Sequence, residues 1–168
     1  MTRFLAAFVV IAVTAPAQVP RGTATITLNA HSVSIDYGRP SLKGRDMLAK
    51  APVGTVWRLG ADQATTMTLT GVTVFGNIVA REGSFSLFLQ RTEDKQWMLL
   101  LNRQTGQWGT EHDASKDLMA IPLKWETQEE STEKLTIELT PQTKEIGQLS
   151  IRWGTNVLKQ NFRIPPLP

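Results

Sequence analysis

The sequence has no cysteine. That removes a disulfide framework, Cys-rich zinc sites, a thioredoxin-like dithiol and a cysteine nucleophile. It has only two histidines, His31 and His112, with no partner at helical spacing and no HExxH. Three or four converging ligands are what a metal needs, so no metal centre is expected. There is no apolar run of the length that spans a bilayer, about 20 residues. No P-loop and no dinucleotide fingerprint occur, so no nucleotide cofactor is expected. The stretch Gly83-Ser84-Phe85-Ser86-Leu87 is not the nucleophile elbow G-x-S-x-G, and it leads into a strand pattern rather than a helix. No long amphipathic helical pattern is present either.

Charge of one sign is also scarce. The formal net charge is +3, and the basic residues form no run, which argues against nucleic acid as a partner. A chain of 168 residues with 41% hydrophobic and 20% charged content is globular. It is long enough to bury a core without covalent staples.

What is present begins with a leader. Arg3 gives a positive start, residues 4–13 are apolar, and Ala15-Pro16-Ala17 places small residues at a cleavage site. Residues 1–17 read as a secretory signal, and 18–168 as one mature domain, exported to the periplasm or the extracellular space. No cysteine follows the apolar segment, so a lipid anchor is not expected, and no membrane span remains after cleavage. Oligomeric state is not legible.

The mature chain alternates. Ala24, Ile26 and Leu28 oppose Thr23, Thr25 and Thr27; Val33, Ile35 and Tyr37 share a face; Met67 and Leu69 oppose Thr66, Thr68 and Thr70. Phe85, Leu87 and Leu89 alternate in the same way, as do Leu135, Ile137 and Leu139, and Leu149, Ile151 and Trp153. Met98-Leu99-Leu100-Leu101 predicts a strand buried on both faces. Asn29-Ala30-His31 and Gly76-Asn77 read as hairpin turns. Residues 128–132 read as a charged turn, and Gly154-Thr155-Asn156 as another. Pro122 predicts an edge or a bulge. A short helical turn is expected within 41–50, and a second at Ala114-Ser115-Lys116, capped by Asp113. The tail 165–168, rich in proline, is expected to fray. About ten short strands and at most two helical turns predict an all-β fold, an antiparallel sandwich or something barrel-like.

Chemistry concentrates where alternation stops. Asp36-Tyr37-Gly38-Arg39-Pro40-Ser41-Leu42-Lys43-Gly44-Arg45 and Trp57-Arg58-Leu59-Gly60-Ala61-Asp62 are rich in glycine and arginine. Guanidinium groups on Arg39, Arg45 and Arg58 suit carboxylate, phosphate or sulfate recognition. The opposing reading is structural: Asp36, Asp46 and Asp62 are near enough in sequence to pair those arginines and pin the loops. Among five tryptophans, Trp97, Trp125 and Trp153 fall on strand patterns and are expected in the core. Trp108, between Gly106 and Gly109 in a polar loop, is the candidate stacking platform for a sugar ring. His112, in Glu111-His112-Asp113, has carboxylate neighbours that set its tautomer.

Four stretches, Asp-Tyr-Gly-Arg-Pro-Ser-Leu-Lys-Gly-Arg (36–45), Val-Trp-Arg-Leu-Gly-Ala-Asp-Gln-Ala-Thr-Thr (56–66), Gly-Ser-Phe-Ser-Leu-Phe (83–88) and Asn-Arg-Gln-Thr-Gly-Gln-Trp-Gly-Thr (102–110), resemble the domain-of-unknown-function family numbered 2911. That is a family of exported bacterial proteins. The resemblance implies a secreted β domain and carries over no reaction, cofactor or catalytic residue. The family pattern has Asn where this chain has Asp62, followed by Glu or Gln, here Gln63.

The sequence therefore favours a non-catalytic binding module for a polar, anionic or carbohydrate-like ligand. Arg39, Arg45 and Arg58 would supply charge, Trp108 a stacking face, and Tyr37, Asp62 and His112 the rest of the lining. A hydrolase using His112 with Asp36 or Asp113 is the alternative from another class. A structural, envelope-associated protein is the third.

Overall fold

The computed structural model describes residues 18–93 and 95–166. The expected leader at 1–17 and the end of the tail lie outside the described residues. Ten antiparallel strands follow in chain order: β1 (Arg21–Leu28), β2 (His31–Gly38), β3 (Val56–Arg58), β4 (Thr66–Leu69), β5 (Thr73–Phe75), β6 (Ile78–Ala80), β7 (Gly83–Glu93), β8 (Gln96–Asn102), β9 (Asp117–Pro141) and β10 (Ile146–Arg163). Helix is confined to α1 (Met47–Lys50) and a 3-10 turn at Ala114–Lys116. They form one sheet in the order β1-β2-β4-β7-β8-β9-β10-β5-β6, with β3 beside β7. The ladder does not close from β6 to β1, so the expected sandwich is seen rather than a closed barrel.

The sheet doubles over because β9 is shared. Its first part pairs β8 through Trp97↔Leu123 and Leu99↔Ile121. Its second part pairs β10 through Leu139↔Leu149 and Ile137↔Ile151. Inward residues of the two halves then meet in one core. Ile26, Val33, Ile35, Met67, Leu87, Leu89 and Leu99 come from one half, and Leu135, Ile137, Leu149, Ile151 and Phe162 from the other. These are the apolar positions of the alternating pattern, so the hydrophobic effect decides both face and register.

Two expected turns are strand instead. Residues 128–132 lie within β9, which runs unbroken for 25 residues, and Gly154-Thr155-Asn156 lies within the 18 residues of β10. The register slips on both sides of Gly154, which pairs Thr132 at a φ of 64°. A bulge absorbs the extra residues and lets a long ribbon bend without ending. Trp153-Gly154-Thr155 is thus a bulge, whereas Trp108-Gly109-Thr110 sits in a loop. Pro122 lies where β9 pairs β8 alone, an edge position that needs no N–H.

The first hairpin carries a local conflict. Leu28 pairs His31, leaving Asn29 and Ala30 as a two-residue turn with φ of 49° and 65°. Asn tolerates that region; Ala does so only against a steric penalty of about 1–2 kcal/mol. Ala30→Gly should therefore raise stability by about 0.5–1 kcal/mol after the greater chain entropy of glycine is set against it. A higher urea midpoint at an unchanged slope is the check.

Candidate functional site

The four motif stretches meet at one end of the fold. Gly38 and Gly60 let the first two touch. Gly60 has φ 143°, and a Cβ on it would lie 3.1 Å from the Gly38 carbonyl oxygen. The second stretch is stitched to the fourth: Gly109 N–H donates to Asp62 O at 2.8 Å and Ala64 N–H to Gln107 O at 3.1 Å. The third stretch joins through Ser86, whose hydroxyl donates to Gln104 O at 2.6 Å and receives Gln107 Nε2–H at 3.0 Å.

Antiparallel register places Arg58 opposite Phe88, and Phe88 opposite Leu100. Phe88 and Leu100 are buried but stand outside the main core cluster. The 102–117 segment roofs them, and the His112 ring lies on Phe88 with centroids 4.5 Å apart. This second small core explains why Met98-Leu99-Leu100-Leu101 is apolar on both faces. Beside it opens a cleft of about 320 Å³ lined by Val56, Trp57, Arg58, Phe88, Gly109, Thr110 and His112.

His112 is held firmly. Its Nε2 is 3.0 Å from both carboxylate oxygens of Asp117. Asn102, fully buried, donates through Nδ2 to Asp117 Oδ1 at 2.8 Å and to Asp113 O at 2.9 Å, and accepts from Gln104 N–H at 2.9 Å. A carboxylate at Nε2 keeps the proton on that nitrogen and leaves Nδ1 as an acceptor. The carboxylate that orients His112 is therefore Asp117, not Asp36 or Asp113. Asp36 binds Arg21 in a close ion pair. Asp113 caps the 3-10 turn, and hydrogen bonds from Ser115 hold its carboxyl below the usual carboxylate range.

The other expected residues divide among separate places. Tyr37 is buried; its hydroxyl accepts from Ile137 N–H at 2.9 Å and donates to Ile137 O at 3.3 Å, tying β2 to β9 across the fold. Arg39 reaches the same strand, donating to Leu135 O at 3.2 Å and Thr136 Oγ1 at 3.1 Å. Both are spent on holding the layers together. Arg45 lines a different cleft. Asp62, at φ 62°, accepts Val19 N–H at 2.7 Å on its carboxylate. Trp108, 43% exposed, precedes Gly109 of the Arg58 cleft in the chain, and its backbone is bridged to Gln63. Of the expected set, Arg58 and His112 line this cleft together among the described residues.

The expected Arg–Asp network is not the one formed. Asp46 accepts Ala49 N–H and Asn156 Nδ2–H, each at 2.9 Å. Among the described residues, no carboxylate pairs Arg39, Arg45 or Arg58, and the Arg58 guanidinium makes no hydrogen bond. Phe88 and Asn102 stand at the ends of two motif stretches, 83–88 and 102–110, with no role legible there, and Asp117 stands outside the motifs. For Asp117 the only signal was its place five residues after His112.

Exposure separates platform from core for the tryptophans. Trp97 and Trp153 are buried, and Trp125 packs against the core, as expected. Trp108→Ala should cost less than about 1 kcal/mol, against about 3–5 kcal/mol for Trp97→Ala. Paired urea unfolding curves check the contrast.

The sequence pattern of a family described as Protein of unknown function (DUF2911) matches residues 19–162. No curated protein and no solved structure matches the chain.

Proposed function

Because the chain belongs to the DUF2911 family, which is described only as of unknown function, its own geometry must carry the reading, and we propose a non-catalytic binding module for a small polar anion such as a sugar acid or sugar phosphate. The observation that carries this is Arg58. Its guanidinium lines a cleft, half-buried, with no partner among the described residues. A cation partly removed from water and left unpaired is costly unless an anion completes it. His112 Nδ1 and the Thr110 hydroxyl add an acceptor and a donor at the same cleft, and Trp108, exposed and next to Gly109 in the chain, offers a flat apolar face.

The proposal includes export. The leader pattern at 1–17 predicts cleavage after Ala17, and the first strand begins soon after, at Arg21. A mature chain starting at Gln18 keeps Val19, whose N–H binds Asp62.

Thermal shifts of that mature chain test the reading. Sugars, sugar acids, phosphates and sulfate are screened against it and against Arg58→Ala. A ligand at about a hundred times its Kd adds about 2.7 kcal/mol and moves the melting midpoint by several degrees. The expected result is a shift with an anionic class that Arg58→Ala abolishes while its own midpoint stays put. Equal shifts in both proteins, or none with any class, would sink the proposal.

A second reading, a hydrolase, is favoured by one observation, the Asp117–His112 pair with Nδ1 free to take a proton. Turnover of an ester or glycoside panel that His112→Gln removes would support it over simple binding.

A further inference from the structure

We propose that a second cleft, which shares only Trp57 with the first, is a site for a small aromatic carboxylate. It holds about 390 Å³ and is lined by Gly44, Arg45, Asp46, Met47, Lys50, Ala51, Pro52, Thr55 and Trp57. That is the size range of small-molecule pockets.

Its walls are apolar and its rim is cationic. Met47, 40% exposed, Ala51, Pro52 and Trp57 supply the walls. Trp57 lies parallel to Trp153, with centroids 5.2 Å apart and planes 8° from coplanar. One indole face is thus taken, and the other face and the ring edge are what Trp57 offers to the two clefts it lines. A planar ring laid there extends an existing stack, which a flexible acyl chain does not. Among the described residues, the Arg45 side chain makes one long bond, from Nε to Leu42 O at 3.4 Å, and Lys50 Nζ makes none. Asp46, the single carboxylate among the described lining residues, already takes two donors. The unmatched charge at the rim is positive, and guanidinium and ammonium groups suit a carboxylate.

The cleft is also preformed. Arg91, buried, donates from Nη1 to Ala49 O at 2.9 Å and to Ala51 O, and Lys50 N–H donates to Asp46 O at 3.2 Å. Asn156 ties Asp46 to β10. Walls held this way lose little freedom when a ligand enters.

The test is titration calorimetry of the chain from Gln18 with 2-naphthoate, 2-naphthamide and decanoate. Saturable one-to-one binding of the naphthoate is expected. The amide and decanoate should each bind about tenfold more weakly or worse, the order of one charge-assisted contact. Arg45→Ala/Lys50→Ala should lose a similar factor at an unchanged melting midpoint, because both side chains are exposed. Lys50→Glu, a single surface change, should weaken the acid but not the amide. Arg58→Ala, which decides the first cleft, should leave naphthoate binding intact. No saturation at millimolar naphthoate overturns the proposal. So does an amide or decanoate that binds equally well, or a double variant that binds unchanged. Loss of binding in Arg58→Ala would place the acid in the first cleft and overturn it too.

Discussion

Gly38→Ala should destabilise the domain by about 3 kcal/mol and loosen the candidate site from its scaffold. The added Cβ would overlap the carbonyl oxygen of Ala61 and lie 2.9 Å from its nitrogen. Those are backbone atoms, so no rotamer change relieves the clash. Nor can the second motif simply retreat. Residues 59–65 are held from behind by the Thr65 hydroxyl on Leu59 O, by Leu87 N–H on Thr65 O at 2.8 Å and by Gly109 N–H on Asp62 O at 2.8 Å. A shift of Ala61 therefore reaches Gly109 and, through it, Arg58, whose Cδ lies 3.2 Å from where a Gly109 Cβ would be. Urea unfolding measures the loss. Gly44→Ala is the control: Gly44 has φ 71° and nothing within 4 Å of an added Cβ, so only the conformational penalty of about 1 kcal/mol applies. A Gly38 variant no less stable than the Gly44 variant would mean the two motifs are not locked together.

The lock shows why the motif glycines were legible as special while their purpose was not. Composition marks the places where alternation fails. It does not say which distant backbone comes close. Alternation itself served well where one face is buried and the other wet: Val33, Ile35, Met67, Leu69, Leu87 and Leu89 all lie inside. It failed along β9 and β10. A bulge shifts the period without breaking the strand, and the residues at 128–132 expose polar side chains on an extended ribbon, where no apolar signal distinguishes strand from turn. The arginines failed for another reason. Proximity in sequence suggested Asp36, Asp46 and Asp62 as partners. Each of those carboxylates is captured instead by Arg21, by the α1 backbone with Asn156, or by Val19 N–H. Arg39 finds its acceptors 96 and 97 residues away on β9, a distance no local reading spans. The Arg58–His112 pairing was half visible, since both residues were named in advance. That they share a cleft follows from the β3–β7–β8 register and the roof over Phe88.

Asn102 ties down the His112 end of that roof, and Asn102→Ala should loosen it. Asn102 is buried with three hydrogen bonds: two from its Nδ2 to Asp113 O and Asp117 Oδ1, and one to its oxygen from Gln104 N–H. Alanine leaves all three partners short; they are part-buried, so each lost bond costs about 1 kcal/mol. The three form one network, so their losses do not add fully. An overall cost of about 2 kcal/mol is expected. The functional effect should exceed what stability alone predicts. Asp117 loses the donor that sets its position, and His112 then loses the carboxylate that orients its ring over Phe88. Two measurements separate these effects. Urea unfolding gives the stability, and the His112 ring resonances report whether the imidazole still sits on the Phe88 face. Asp117→Asn divides the network at its other end: an amide keeps the size but is a poorer acceptor for the imidazole Nε2–H. It should disturb the His112 resonances while costing less stability than Asn102→Ala. A stable Asn102→Ala protein with unchanged His112 signals would show that the 102–117 segment holds the ring by packing on Phe88 alone. The hydrogen-bonded chain Asn102–Asp117–His112 would then have no part in shaping the Arg58 cleft.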